Sequence, residues 1–270
     1  MSASDVPPIT DLHTHFVPGV DDGARSVEQA LEYLRALEAD GVRRVAATPH
    51  LPASRIEGPY RREMRDAFRE LQEGARDELE ALRLSMAYEV RLDDPDADLA
   101  EPDLLLGSGD WLLVEFSGFR VPEDPEGWFE KIRGSGRKPV LAHPERYRGI
   151  GDAYGRLEDW RSAGVRTCVN VGSLWGRHGK KAAGVARRML ADGRIDLLAT
   201  DNHSRPGRAD SLRPIWDLLS EDGHGEAASL LVAGNPGAVL EGREPEPVPP
   251  ADVSADRLDE LRPTVADETW

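Results

Sequence analysis

The feature that most limits the fold is an alternation that starts at Ile9 and runs through most of the chain. Short apolar or β-branched runs ("ITDLH", "VRRVAATPH", "LSMAYEV", "WLLVEF", "PVLAH", "TCVNVGS", "IDLLATDNH") take turns with amphipathic segments such as "SVEQALEYLRALEADG" and "GKKAAGVARRMLADG". The first kind reads as strand and the second as helix. Several helical segments stop at Gly, a common helix terminator. Each helix must carry the chain back before the next strand begins, so the strands should be parallel, in a doubly wound sheet or a closed barrel. About seven strands can be marked. A chain of 270 residues suits one such unit, and residues 1–242 are expected to form a single α/β domain. The remainder, 243–270, opens with "GREPEPVPPADVSAD"; this acidic Pro-rich tail is expected to be extended or disordered, with "ADRLDELR" as a candidate short helix.

Fifty acidic against 34 basic residues give a net charge of −16, so the overall field repels nucleic acid and anionic membranes. An anionic substrate then needs a local reversal of sign, which bound multivalent cations supply. No run approaches the ~18 apolar residues of a membrane span. "MSASDVPPITD" has neither the basic start nor the apolar centre of a signal peptide, so a cytoplasmic protein is expected. The single cysteine, Cys168, permits no intramolecular disulfide and no Cys-rich metal site. Any metal must be held by His and carboxylates.

Five of the seven histidines fall at or just past the carboxyl end of an expected strand: His13, His15, His50, His143 and His203. Glu89, Glu115 and Asp201 mark the same ends. A lone strand-end His is more often a hydrogen-bonded structural residue, but eight such residues at equivalent positions would converge on one face of a parallel barrel. His13 and His15 alternate along one strand and so face the same side. Imidazole with carboxylate and no thiolate suits Mn²⁺, Fe²⁺, Zn²⁺ or Co²⁺, and several carboxylates suggest more than one ion. Adjacent ions can generate a hydroxide near neutral pH and clamp the oxygens of a displacement at phosphorus, so metal-assisted hydrolysis of a phosphate ester is expected. Asp21 and Asp22 follow in the first loop. From spacing alone, either reads equally as an oxygen ligand or as part of a "DDG" turn.

Taken together, "DLHTHFVPGVDDGARS", "AATPH", "YEVR", "LLVEFS", "LAHPERY", "VNVGSLWGRHGKKA" and "ATDNHS" resemble the PHP-domain superfamily, named for polymerase and histidinol phosphatase, and within it the bacterial CpsB/YwqE-type protein-tyrosine phosphatases. The resemblance implies a distorted seven-stranded (β/α) TIM-like barrel with a three-ion centre, usually manganese. It implies that His13, His15, Glu89 and Asp201 hold one ion. Glu89 would bridge to a second that takes Glu115 and His143, and Asp22, His50 and His203 would serve the third. It also implies phosphate contacts by Arg146 and Arg208, with Arg205 competing for the second place, and His203 is counted with the catalytic residues. The implied partner is a phosphotyrosine protein, a bacterial tyrosine kinase tail governing capsule or exopolysaccharide export. Homo-oligomers are compatible with this reading.

Rival readings are weaker. No strand is followed by a nucleotide-binding glycine loop, and Leu174 stands where a G-x-x-x-x-G-K-[ST] loop needs its first Gly. A cysteine phosphatase needs C-x₅-R, but the sixth residue after Cys168 is Leu174, so Cys168 reads as a small buried hydrophobe. A zinc deaminase would need the absent "PCxxC". A PHP phosphatase acting on a small metabolite such as histidinol phosphate is the main alternative, ahead of a non-catalytic metal-binding module and a nuclease. His178 and His224 are expected to be solvent-exposed.

Overall fold

A computed structural model of the chain describes residues 6–76, 78–204 and 210–262. Nine strand segments follow in order: β1 Ile9–Thr14, β2 Val42–Ala47, β3 His50–Pro52, β4 Arg83–Met86, β5 Glu89–Leu92, β6 Trp111–Phe116, β7 Lys138–Ala142, β8 Arg166–Asn170 and β9 Leu197–Ala199. They occupy seven positions. β2 and β3 are halves of one strand broken at Thr48 and Pro49, where proline offers no amide hydrogen. β4 and β5 break at the same level, and the bonds Ala87 N to Ala47 O (2.9 Å) and Glu89 N to Pro49 O (3.2 Å) carry the ladder across. All neighbouring strands pair in parallel, in the order β1-β2-β4 and β3-β5-β6-β7-β8-β9. The last position is tied back to the first by Asp201 N to His13 O and His15 N to Asn202 O, both 2.8 Å.

The described helices are α1 Val27–Ala39, α2 Pro59–Ala75, α3 Pro125–Gly134, α4 Arg156–Ser162, α5 Val171–Leu174, α6 Lys180–Ala191, α7 Arg213–Glu221, α8 Gly225–Ser229, α9 Asn235–Leu240 and α10 Ala255–Asp259, with a π-helical turn between α8 and α9. Local chemistry sets their ends. Ser26 caps α1 by accepting from Gln29 N, Asp124 caps α3 by accepting from Gly127 N, and Pro125 fills the first helical position. α1 buries Ala30, Leu31, Leu34 and Leu37, the stripe its spacing predicts. No helix among the described residues is long and apolar enough to cross a membrane.

Two apolar layers result. The larger lies between strands and helices; the smaller fills the ring itself with Leu12, Ala46, Ala87, Trp111, Leu113, Val140, Ala142, Cys168, Leu197 and Ala199. Four of these are alanines, which suits a narrow interior. Strand alternation then decides where polar chemistry begins: Trp111 and Leu113 are followed on the same face by Glu115, and Leu197 and Ala199 by Asp201.

Beyond Arg243 the chain runs extended and then forms α10, capped by Ser254. The segment is docked. Asn235 Nδ2 donates to Glu246 O (2.9 Å), Ala251 N to Leu190 O (3.1 Å), and Ala251 and Leu258 are fully buried. Arg187 pairs with Asp259 at 2.7 Å, and Arg262 donates twice to the Trp175 carbonyl, at 3.0 and 2.8 Å.

Candidate metal centre

β1 delivers His13 and His15 with their Nε2 atoms 3.3 Å apart. Glu89 Oε2 stands 3.3 Å from the first and 3.6 Å from the second; Asp201 Oδ1 stands 3.4 and 3.2 Å away. The β3–β5 register places His50 opposite Glu89, and His50 Nδ1 lies 2.7 Å from Glu89 Oε2 and 3.6 Å from Glu115 Oε1. His143, just past β7, meets the other oxygen, Glu89 Oε1, at 2.7 Å. Near the mouth, His203 Nε2 and His50 Nε2 approach Asp22 Oδ1 at 3.3 and 3.6 Å. Nine residues thus form four overlapping sets whose ligand atoms lie within 4.8 Å of one another: His13–His15–Asp201, His13–Glu89–His143, His50–Glu89–Glu115, and His15–Asp22–His50–His203.

The donor set fits divalent cations. Glu89 Oε2 and Asp201 Oδ1 are buried without a properly aligned hydrogen bond, although imidazole nitrogens crowd them. Short contacts that lack hydrogen-bond alignment are what lone pairs aimed at a common point produce. The charge is also unbalanced, because Asp21, Asp22, Glu89, Glu115 and Asp201 gather in one place. Burial opposes ionisation of Glu89, yet the His13 and His143 imidazoles hold it well below the ordinary carboxylate range. Burial, with the Glu89 charge beside it, pushes Glu115 up to about 7. Burial opposes protonation of His15, but Asp201 and Asp21 raise it to about 10. The carboxylates demand positive charge, and protons and cations compete for it.

Neighbouring groups fix how each ligand faces. Asp21 Oδ2 sits 2.8 Å from His15 Nδ1, leaving Nε2 for the centre, and its Oδ1 accepts from Gly23 N at 2.9 Å. Gly23 has no alternative, since a Cβ there would come within 2.1 Å of the His15 carbonyl oxygen. Asn170 Nδ2 and Arg146 Nη1 both donate to Asp201 Oδ2 at 2.6 Å, so Oδ1 is the oxygen left for the centre. His203 Nδ1 approaches Asp201 O at 2.9 Å. His143 and Asp201 hold φ of +34° and +53°. Such left-handed geometry costs about 1–3 kcal/mol at a non-glycine residue and tends to mark functional sites.

A profile of the family described as "Capsular polysaccharide synthesis, CpsB/CapC" matches residues 9–241. The chain belongs to the CpsB/CapC family. Tyrosine-protein phosphatase YwqE of Bacillus subtilis is 32% identical over 199 residues, 72% of this chain and 77% of YwqE. Putative tyrosine-protein phosphatase CapC of Staphylococcus aureus is 25% identical over 211 residues, 77% of this chain and 82% of CapC. In three dimensions the fold matches a crystal structure from work on YwqE and on CpsB of Streptococcus pneumoniae, called there metal-dependent tyrosine phosphatases. The TM-score is 0.77 at 27% identity, covering 91% of this chain and all of that one. The PHP-type barrel expected from the CpsB/YwqE-type motifs is the fold observed.

The nine strand-end and loop residues singled out in the sequence all meet at this centre. Arg146 does not form the surface pair with Glu145 that its position allows; it reaches Asp201, and its guanidinium lies 4.7 Å over the Phe119 ring. Arg205 and Arg208 lie outside the described residues. His178 departs from the expected exposure. It is half-buried, lines a cavity of about 330 Å³ with Asp22, Arg146, Arg177, Asp201 and His203, and its Nδ1 lies 3.0 Å from Ser173 Oγ. Ser173 Oγ in turn bonds Glu145 Oε1 at 2.7 Å, which links His178 to the buried Glu145. Asn170 and Ser173 escaped sequence reading because their work is to orient other side chains, and only the folded backbone brings those partners near; Asp21, open there between ligand and turn, closes the turn through Gly23 N and faces His15. Cys168 is fully buried in the ring.

Proposed function

We propose that this CpsB/CapC-family chain is a metal-dependent protein-tyrosine phosphatase serving capsule or exopolysaccharide synthesis. Manganese in a three-ion centre is the cofactor, and a phosphotyrosine protein, the tail of a bacterial tyrosine kinase on the cytoplasmic side, is the substrate. The observation that carries this reading is the buried convergence on Glu89 and Asp201 of four overlapping imidazole–carboxylate sets. The names of the family's relatives point to the same reaction. His13, His15, Glu89 and Asp201 hold the first ion; Glu89 also serves the second with Glu115 and His143; Asp22, His50 and His203 hold the third. Glu89 would be able to serve both, because one of its oxygens meets His143 and the other faces His13 and His50.

Divalent ions bound there supply Lewis acidity towards phosphate oxygens and a nucleophile drawn from water near neutral pH. The chain's own groups do the rest. Arg146, held by Asp201, presents a guanidinium to the phosphate, with Arg208 as the second arginine. Phe119 is the one large apolar side chain exposed among the described residues, at 37%, and it stacks on His143 beside Arg146. That ring offers an aromatic leaving group a face to lie against. A tyrosine phenolate leaves with a conjugate-acid pKa of about 10, so it asks less of a proton donor than an alkoxide does. Cys168 is walled off by the ring core, which leaves no cysteine route.

Comparing turnover of a phosphotyrosine peptide with that of histidinol phosphate tests the assignment. The peptide is expected to be the better substrate by kcat/KM. Faster turnover of histidinol phosphate would place the chain among small-metabolite phosphatases.

A further inference from the structure

Next to the catalytic cavity lies a larger groove of about 850 Å³ that shares Arg146 and His178 with it. Its polar lining is cationic: Arg148, Lys180, Lys181 and Arg188 join Arg146, against the exposed Asp152 and the buried Glu145. That is unexpected in a chain with a net charge of −16 and only four lysines, two of which sit here. Neither Lys180 nor Lys181 has an ion-pair partner among the described residues. Among the described residues the side chain of Arg148 reaches only the Gly118 carbonyl, at 3.4 Å, whereas Arg188 lies 3.8 Å over the Tyr154 ring and 3.7 Å from Asp192 Oδ2.

The two lysines also stand where a helix least wants them. Lys180 and Lys181 open α6, which has no side-chain cap and no acidic residue in its first turn. Cations at a helix N-terminus work against the macrodipole. Positive charge placed against local stability, unpaired, and beside a reaction centre calls for an anionic occupant. A low-dielectric groove focuses such a field even when the molecule as a whole repels anions.

We infer that this groove holds the polypeptide flanking the phosphotyrosine and selects segments with anionic side chains within a few residues of it. The inference rests on the phosphatase reading above. The groove meets the catalytic cavity at Arg146, so a chain whose phosphotyrosine sits in the cavity continues past Phe119 towards Lys180 and Lys181. Carboxylates and a second phosphotyrosine offer the same chemistry.

The test uses the full-length, manganese-loaded protein and four substrates: p-nitrophenyl phosphate, and one phosphotyrosine peptide with flanks of Asp/Glu, Asn/Gln, or a second phosphotyrosine. At low ionic strength kcat/KM for the acidic peptide should exceed that for the neutral one by about tenfold, mainly through KM, and the ratio should shrink with salt. In Lys180→Gln/Lys181→Gln the ratio should fall towards one, and in Lys180→Glu/Lys181→Glu it should invert, with metal content and Tm confirming the fold. The doubly phosphorylated peptide tells whether phosphate or carboxylate is preferred. An acidic-to-neutral ratio near one, or one unchanged by the lysine variants, overturns the inference. So does inhibition by an anionic polysaccharide that the variants relieve while peptide ratios stay fixed. Hydrolysis of p-nitrophenyl phosphate without hydrolysis of any peptide instead overturns the phosphotyrosine reading itself.

Discussion

Asp21 accepts from the Gly23 amide and faces His15 Nδ1 at 2.8 Å, so one carboxylate both closes the first loop and chooses which imidazole nitrogen meets the centre. Asp21→Ala should weaken metal binding about 10–100-fold, as loss of a ligand-orienting partner commonly does, and a metal titration followed by activity would show it. Unchanged affinity would mean that the turn alone explains this residue. His178 gives a second prediction at this scale. Burial, with Arg146 nearby, lowers its pKa from 6.5 to about 4. Between those values the unfolded chain binds a proton that the folded chain refuses, so this residue's contribution to stability falls as pH falls through that window. His178→Gln should therefore lose less stability than wild type between about pH 7.5 and pH 5, by ~1–2 kcal/mol, in urea unfolding. An equal loss in both proteins would deny the effect.

Among the elements, the strands were legible, as was the short helix α10 within "ADRLDELR", but the docking of the tail was not. Period-two runs ending in His, Glu or Asp mark β1, β6, β7 and β9 directly, because strand alternation carries one face of each from core into site. The break between β2 and β3 was less visible: "VAATPH" reads as a single strand, and only the ladder shows Pro49 interrupting it. "GREPEPVPPADVSAD" has the composition of a loose linker, yet composition does not report docking. Ala251 and Leu258 bury against the body of the protein, and Arg262 holds the Trp175 carbonyl. Trp175 Nε1 in turn donates to Asp210, which pairs with Arg177 at the cavity wall. The tail therefore braces the loop that carries Arg177 and His178. Leu258→Ala should cost about 2–5 kcal/mol, the usual loss for a buried leucine, and lower Tm by roughly 4–20 °C. A shift of under about 1 °C by calorimetry would show the tail to be dispensable.

For the whole molecule, the ring core and the metal centre are one construction. Trp111 and Leu113 fill the interior directly below Glu115, so a cavity there should lower stability and also disturb the ligand above. Leu113→Ala is expected to cost about 2–5 kcal/mol and to reduce metal retention; a loss of stability with intact metal content would separate core from site. The global charge of −16 does not report local chemistry: imidazoles crowd the carboxylates in the centre, and arginines and lysines line one groove. Whether this family fold hydrolyses phosphotyrosine through ions held by His13, His15, Glu89, Asp201 and their neighbours is decided by turnover of a phosphotyrosine peptide by protein stripped with EDTA, then reloaded with Mn²⁺, with bound metal counted beside His13→Ala. Expected are no turnover when stripped, recovery on reloading with more than one ion per chain, and loss of both metal and activity in His13→Ala. Undiminished turnover after stripping would show that these ions are not needed.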